Sequence, residues 1–125
     1  MGAEETLRLA TAFFDAIEQG DLQAVADCYD DDVVVWHNID RLETNKNQNL
    51  AVLEQFCKIA PTRRYTDRRL EVFPGGFVQQ HVLEASLANG RLCQLHACLV
   101  CAVSERGIVR LDEYFDSAEV EAFRS

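Results

Sequence analysis

Three places in this 125-residue chain combine side chains able to move protons or hold a polar ligand. They are the strand end Trp36-His37-Asn38, the pair His81 and His96 with Gln94 beside it, and the acidic run Arg110-Leu-Asp-Glu-Tyr-Phe-Asp116. Asn89-Gly90 is the strongest hairpin signal in the sequence. A two-residue turn there pairs Ala88 with Arg91, which sets Leu83 opposite His96 and His81 opposite Cys98. Alternation then places His81, Leu83, Ala85 and Leu87 on one face with Leu92, Gln94, His96 and Cys98. On that count the histidines are diagonal neighbours. An imidazole near neutral pKa suits proton transfer, worth typically about 10²–10⁴-fold in rate. His81 or His96 is the expected base or acid, with Glu113 as its partner. A plainer role as satisfied, half-buried strand residues stands beside that one.

The strand end is the wall of a candidate pocket, because polar groups in an apolar strand must find partners. Trp36 and Asn38 alternate with His37, so one set or the other faces inward. The expectation is Trp36 and Asn38 inward, orienting substrate or water, with Tyr29, Phe14, Phe56 and Tyr114 completing the lining. In the last strand Asp112 and Tyr114 share one face, and Leu111, Glu113 and Phe115 share the other. The length of the turn at Glu105-Arg106-Gly107, three or four residues, decides which set joins the His81 face. A charged edge strand that resists aggregation gives the same pattern without chemistry.

Cys98 and Cys101 are three apart in a strand, so they point to opposite faces about 10 Å apart. That is beyond the roughly 7 Å limit for a disulfide. His81, His96 and Cys98 would share a face, but lack the carboxylates or further histidines of a ligand-rich site, so no metal and no cofactor is expected.

These groups need elements to position them. Leu7, Ala10, Phe13, Phe14 and Ile17 recur at helical spacing over residues 4–18, and Gly20 supplies a left-handed stop. Asp21 caps a short second helix, and the β-branched run Val33-Val34-Val35-Trp36 is a strand. Residues 40–49 are polar and expected to be a mobile loop. A third helix covers 49–60, with Leu50, Leu53, Phe56, Cys57 and Ala60 inward and Pro61 ending it. Strands follow at 68–73, 77–87, 92–103 and 108–115, then a helical turn over 117–123. Segregated helices and a strand meander mean α+β, as a single domain over 1–125.

Hydrophobic residues are 48% of the chain, enough for one buried core. Lys and Arg total 12 against 21 Asp and Glu, a formal net charge of -9 that repels phosphate backbones. Nucleic acid is therefore not an expected partner. The basic cluster Arg63-Arg64 and Arg68-Arg69 is expected on a solvated strand face. No run approaches the 18 or so apolar residues of a membrane span, and the acidic, amphipathic N-terminus is unlike a secretory signal. Five cysteines, an odd count without an export signal, suggest reduced thiols in a cytoplasm.

FFDAIEQGDLQAVADCYDDDVVVWHN at the start and GIVRLDEYFD at the end resemble the SnoaL-like branch of the nuclear-transport-factor-2-like, or cystatin-like, superfamily. The resemblance implies a cone of three N-terminal helices packed on a strongly curved, mainly antiparallel sheet enclosing a cavity. It also implies a homodimer packed through the sheet and a small apolar ligand. The family includes ketosteroid isomerases, limonene epoxide hydrolases, polyketide cyclases and non-catalytic binding domains. Against the isomerases, His37 stands at the proton-shuttling aspartate and Phe13 at the oxyanion-binding tyrosine. Against the epoxide hydrolases, Trp36 and Asn38 resemble the Tyr-x-Asn pair. His81 falls at the triad arginine, and Leu83 and Glu113 fall at the two aspartates. Two functions follow as expectations: a cofactor-free isomerase, hydrolase or cyclase working on a hydrophobic oxygenated substrate, or a ligand-binding or dimerisation module without chemistry.

Overall fold

The computed structural model describes residues 1–124. Helix α1 (Ala3–Gln19) buries Ala10, Phe13, Phe14 and Ile17, while Leu7 of the expected stripe is exposed. It stops at Gly20, whose φ of 71° is the left-handed conformation and whose N–H donates to the Ala16 and Ile17 carbonyls. Asp21 accepts from the Ala24 N–H and starts α2 (Leu22–Cys28). β1 (Tyr29–His37) follows, then a short β2 (Glu43–Thr44) and α3 (Lys46–Ile59). The meander is β3 (Thr62–Phe73), β4 (Gly76–Ser86), β5 (Leu92–Ser104) and β6 (Gly107–Phe115), and α4 (Ser117–Arg124) closes the chain.

Residues 40–49, expected as a mobile loop, are mostly structured. Asn45 and Gln48 form a capping box, side chain to backbone in both directions, so α3 begins on the polar stretch. Helix α4 is a full element of eight residues, beyond the single turn expected.

The sheet has six strands in the order β2-β1-β6-β5-β4-β3. β1 runs parallel to β6, and the other neighbours are antiparallel, so the sheet is mixed. The helix-covered inner face carries Val33, Val35, Phe77, Ala97, Leu99, Cys101 and Leu111, packed with Phe13, Phe14 and Ile17 of α1. The fold is thus α+β, four helices with a six-stranded mixed sheet.

The β4–β5 hairpin corrects the expected register. Ser86 pairs with Leu92, and the Leu87 N–H donates to the Arg91 carbonyl at 2.8 Å. The loop therefore holds three residues, Ala88, Asn89 and Gly90. Its turn is closed by Gly90 N–H to the Leu87 carbonyl at 2.9 Å, with Gly90 left-handed at φ 87°. Because side chains alternate, this slip of one moves His96 to the other face from His81. His81 now pairs with Ala97, and His96 pairs with Val82.

The next turn is shorter than expected, since Ser104 pairs with Gly107. Gly107 has φ 113°, and a Cβ on it would lie 2.5 Å from the Cys28 carbonyl oxygen. Gly107→Ala is expected to cost about 2 kcal/mol, from strain at a glycine-only φ and displacement of a backbone neighbour. Urea denaturation measures it, and a loss below about 0.5 kcal/mol would show that this turn relaxes freely.

Candidate functional site

The tight second hairpin and a bulge at Ala102–Val103 bring Leu99 opposite Glu113 and Ala97 opposite Phe115. Glu113 and Phe115 therefore share the inner face with His81, and Tyr114 takes the outer one. The parallel β1–β6 pairing adds His37 beside Glu113. His37 Nε2 lies 3.1 Å from Glu113 Oε1, and the imidazole stacks on the Phe115 ring at 5.9 Å and 12°. Burial lowers the pKa of His37, but the Glu113 hydrogen bond and charge, with the Asp40 charge, more than reverse it, so the net shift is upward. Among the described residues no hydrogen bond reaches Glu113 Oε2.

His81 is 4% exposed and sits edge-on to Tyr65 at 4.4 Å and to Phe14 at 5.6 Å. Burial, then the positive charge of Arg68, hold its pKa down at about 4. The Gln79 amide lies 2.9 Å from His81 Nδ1, while His81 Nε2 and Gln79 Oε1 are buried without a partner among the described residues. With Gln79 donating, the proton sits on Nε2, and the neutral imidazole presents an unused N–H donor. Gln79 escaped the sequence analysis. The signal was there: two polar residues at i and i+2 of one strand share a face.

Two phenols border the same interior. Tyr29 donates to Asn49 Oδ1 at 2.7 Å, and Asn49 is buried. Tyr65 packs on Phe14 and His81. Both have pKa values well above normal, first from burial and next from the Glu113 charge. Glu113 is thus the shared negative charge of this interior. In the sheet it is two strands from Gln79, with Leu99 between them, a backbone separation of roughly 10 Å.

Other expected site residues lie elsewhere. His96 is on the outer face, where its Nδ1 and backbone N–H meet the two Glu119 carboxylate oxygens, each at 2.8 Å. β6 has ended there, so the carboxylate of α4 takes the place of its next carbonyl. Trp36 is also outer, against Tyr114 at 5.3 Å, because His37 takes the inward position at the strand end. Asn38 continues the ladder: its amide donates to the Phe115 carbonyl at 3.1 Å, and its Oδ1 accepts from the Phe115 N–H at 2.9 Å. Phe56 meets Phe123 at 5.6 Å in a separate small cluster with Ala60, Ala85 and Leu87. Phe14 and Tyr29 do face the interior.

The basic cluster divides. Arg63, expected in solvent, is buried and donates to carbonyls at the ends of α1 and α3. Arg68 reaches Phe14 and Asp15. A groove of about 770 Å³ lies along the outer face of the sheet, past Arg69, Gln80, Val82, His96, Cys98 and Tyr114, on the side away from the His81 ring. That volume falls in the range of small-molecule sites, about 300–1,000 Å³.

All five cysteines are free, and Cys98 and Cys101 lie on opposite faces as expected, with Cys101 buried. Among the described residues no group of three His, Cys, Asp or Glu could hold a metal ion, and no helix is long and apolar enough to cross a membrane.

No curated protein matches the chain. Solved structures match it along nearly its whole length. A proposed polyketide cyclase from Xanthomonas campestris pv. campestris superposes with TM-score 0.86 at 17% identity, covering 98% of both chains. A proposed hydroxylase from Streptomyces galilaeus gives 0.85 at 12% identity, over 95% of this chain and 80% of that one. An epoxide hydrolase of limonene-epoxide-hydrolase type from M. tuberculosis gives 0.80 at 17% identity, over 97% and 90%. At such identities the likeness is one of fold. The SnoaL-like domain model matches residues 10–111, most of the chain, and on that match the protein belongs to the SnoaL-like family.

Proposed function

We propose that the protein is a cofactor-free acid–base catalyst for a hydrophobic, oxygenated small molecule, working by proton transfer next to a carbonyl group. The observation that supports this is one inner face holding two imidazoles in opposite states. His37 is paired to Glu113 and shifted up, and His81 is held neutral with a buried, unpartnered Nε2. Titratable groups whose environments push their pKa values apart mark acid and base roles.

Glu113 Oε2 takes the proton from carbon. His37, bonded to Oε1, holds that carboxylate in place and stabilises its charge. His81 Nε2–H donates to the carbonyl oxygen as negative charge develops there. Glu113 then returns the proton to a second carbon, so the step is an isomerisation, and the same groups serve an intramolecular cyclisation.

Isomerisation of a β,γ-unsaturated cyclic ketone to its conjugated form, followed by ultraviolet absorbance, tests the assignment. Glu113→Gln and His37→Asn are each expected to lower the protein-dependent rate by about 100-fold, the lower end of general-base contributions. Unchanged rates in both folded variants sink the assignment. One observation favours the alternative, binding without chemistry: Phe14 and Tyr65 pack directly on His81. That reading predicts saturable binding of the ketone and no product.

A further inference from the structure

The inner face of the sheet is packed as two cores that do not join. One holds Ala97 and Leu99 of β5 with α1, and the other holds Ala85 and Leu87 of β4 with Ala60. Leu83 and Leu95 pair with each other between them. Both are buried, yet neither belongs to either core. Helix α3 spans this stretch: its Leu50 and Leu53 pack on the first core and its Phe56 on the second. All three are only half-buried, and the buried residue of α3 is Asn49. An apolar helix stripe above and two leucines below, without the close packing of a finished core, bound an apolar gap. Tyr65 pairs with Leu83, and His81 lies two residues from Leu83 on the same face, so the gap adjoins the site described above.

The open side of that gap is the edge of β5. β6 pairs with β5 from Ala97 to Ser104, which leaves residues 92–96 without a strand neighbour on that side. α4 lies there instead. Its Glu119 carboxylate meets the His96 N–H and Nδ1, each at 2.8 Å. Its Phe123 ring reaches Phe56 at 5.6 Å, and the Phe123 carbonyl accepts from Arg91 Nη2 at 3.3 Å. The attachment is slight for a whole element. None of the α4 residues described is buried, and eight residues are too few to stay helical once undocked. Elements with few buried apolar contacts open locally well before the fold does. We propose that α4 is a lid on the interior, hinged at Asp116 and latched by Glu119, and that an apolar small molecule enters between Phe123 and Phe56 to lie on Leu83 and Leu95. This rests on the reading above that the interior takes such a molecule, and adds its route of entry and the place of its apolar body. Glutamate suits the latch because its two oxygens hold the backbone and the side chain of one residue at once, so a single release frees the helix.

Hydrogen exchange on the native protein tests the motion. The amides of residues 120–124 are expected to exchange about 100-fold faster than those of β4 and β5. They should slow when 2-naphthol, a flat apolar probe, is bound. Nuclear Overhauser contacts from the naphthol to the Leu83 and Leu95 methyl groups fix its place. Stopped-flow fluorescence then follows its entry and exit. Glu119→Gln keeps one acceptor and loses the charge, and should speed both association and dissociation about tenfold with little change in affinity. Phe123→Ala should speed both as well. Thermal melts show that each variant is folded, and the exchange measurement needs no variant. Exchange of α4 as slow as that of the strands overturns the proposal. So does naphthol that fails to bind, binds away from the two leucines or leaves α4 exchange unchanged, or rates that neither variant moves. No turnover enters these measurements, so the lid fails or holds separately from the acid–base assignment of His37 and Glu113.

Discussion

Arg63→Ala is expected to destabilise the fold by about 3–5 kcal/mol. Arg63 is the one buried cationic side chain among the described residues. Its Nε donates to the Ile17 carbonyl at 3.0 Å, its Nη2 to Glu18 at 3.1 Å, and its Nη1 to Ala60 at 2.7 Å and Cys57 at 3.5 Å. These are terminal carbonyls of α1 and α3, and of them the Ile17 carbonyl also accepts from the Gly20 N–H at the helix end. A cation between two helix C-termini also meets two negative dipole ends. The neighbouring turn is built around it, since a Cβ on Gly20 would stand 2.8 Å from Arg63 Nη2. Truncation leaves two or three buried carbonyls unpaired, at about 1–3 kcal/mol each before relaxation. Arg63→Lys should recover less than half of the loss, because an ammonium cannot fork to four acceptors. Urea denaturation followed by circular dichroism measures both. A loss under 1 kcal/mol for Arg63→Ala would mean that the carbonyls rehydrate and the clamp is incidental.

Arg63 also shows where sequence reasoning stops. Beside Arg64 and in a cluster with Arg68 and Arg69, it reads as one more solvated charge. Its burial follows from two helix ends meeting over the start of β3, a fact of tertiary structure. Local signals served better. The 3.6-residue stripe of α1, the Gly20 stop and the Asp21 cap all appear where the residues require them. The strand meander was legible too, within one residue at each boundary except the start of β3, expected at 68 and found at Thr62.

The candidate site was half legible. Alternation in the last strand correctly split Glu113 from Tyr114. Which of them faces inward depended on a turn that closes one residue earlier than expected. Asn-Gly strongly favours a two-residue turn, but here Ala88 joins it and Gly90 closes a three-residue loop. That single residue separated His81 from His96. His37 could be paired with Glu113 only by knowing that β1 lies parallel to β6, a contact across 76 positions that no local pattern encodes. The outer position of Trp36 follows from the same pairing.

The two inner histidines should pull stability in opposite directions as the pH changes. His81 has a folded pKa of about 4, against roughly 6.5 in the unfolded chain. Above the unfolded value both states hold the ring neutral, and its contribution is fully present. Between pH 6.5 and 4 the unfolded chain takes a proton that the folded protein refuses, so stability falls with acid. The slope approaches about 1.4 kcal/mol per pH unit, reaching about 3 kcal/mol near pH 4. The groups facing His81 explain the refusal: the Phe14 and Tyr65 rings exclude water, Gln79 occupies Nδ1, and the nearest charge is the like-signed Arg68. His37 behaves in reverse. Its folded pKa is raised, so its pairing with Glu113 stabilises below the unfolded value and is lost as the pH rises through the folded one. Urea denaturation of the native protein, His81→Phe and His37→Asn at pH 7.5, 6, 5 and 4.5 separates the two. The stability lost by the native protein between pH 7.5 and 4.5 should exceed that lost by His81→Phe by about 2 kcal/mol, whatever the offset between the two at neutral pH. His37→Asn should instead lose more than the native protein on acidification, because it lacks the gain from a charged His37. Parallel curves for the native protein and His81→Phe would show that His81 takes up its proton in the fold, and its role as a neutral donor to a developing oxyanion would fall with that result.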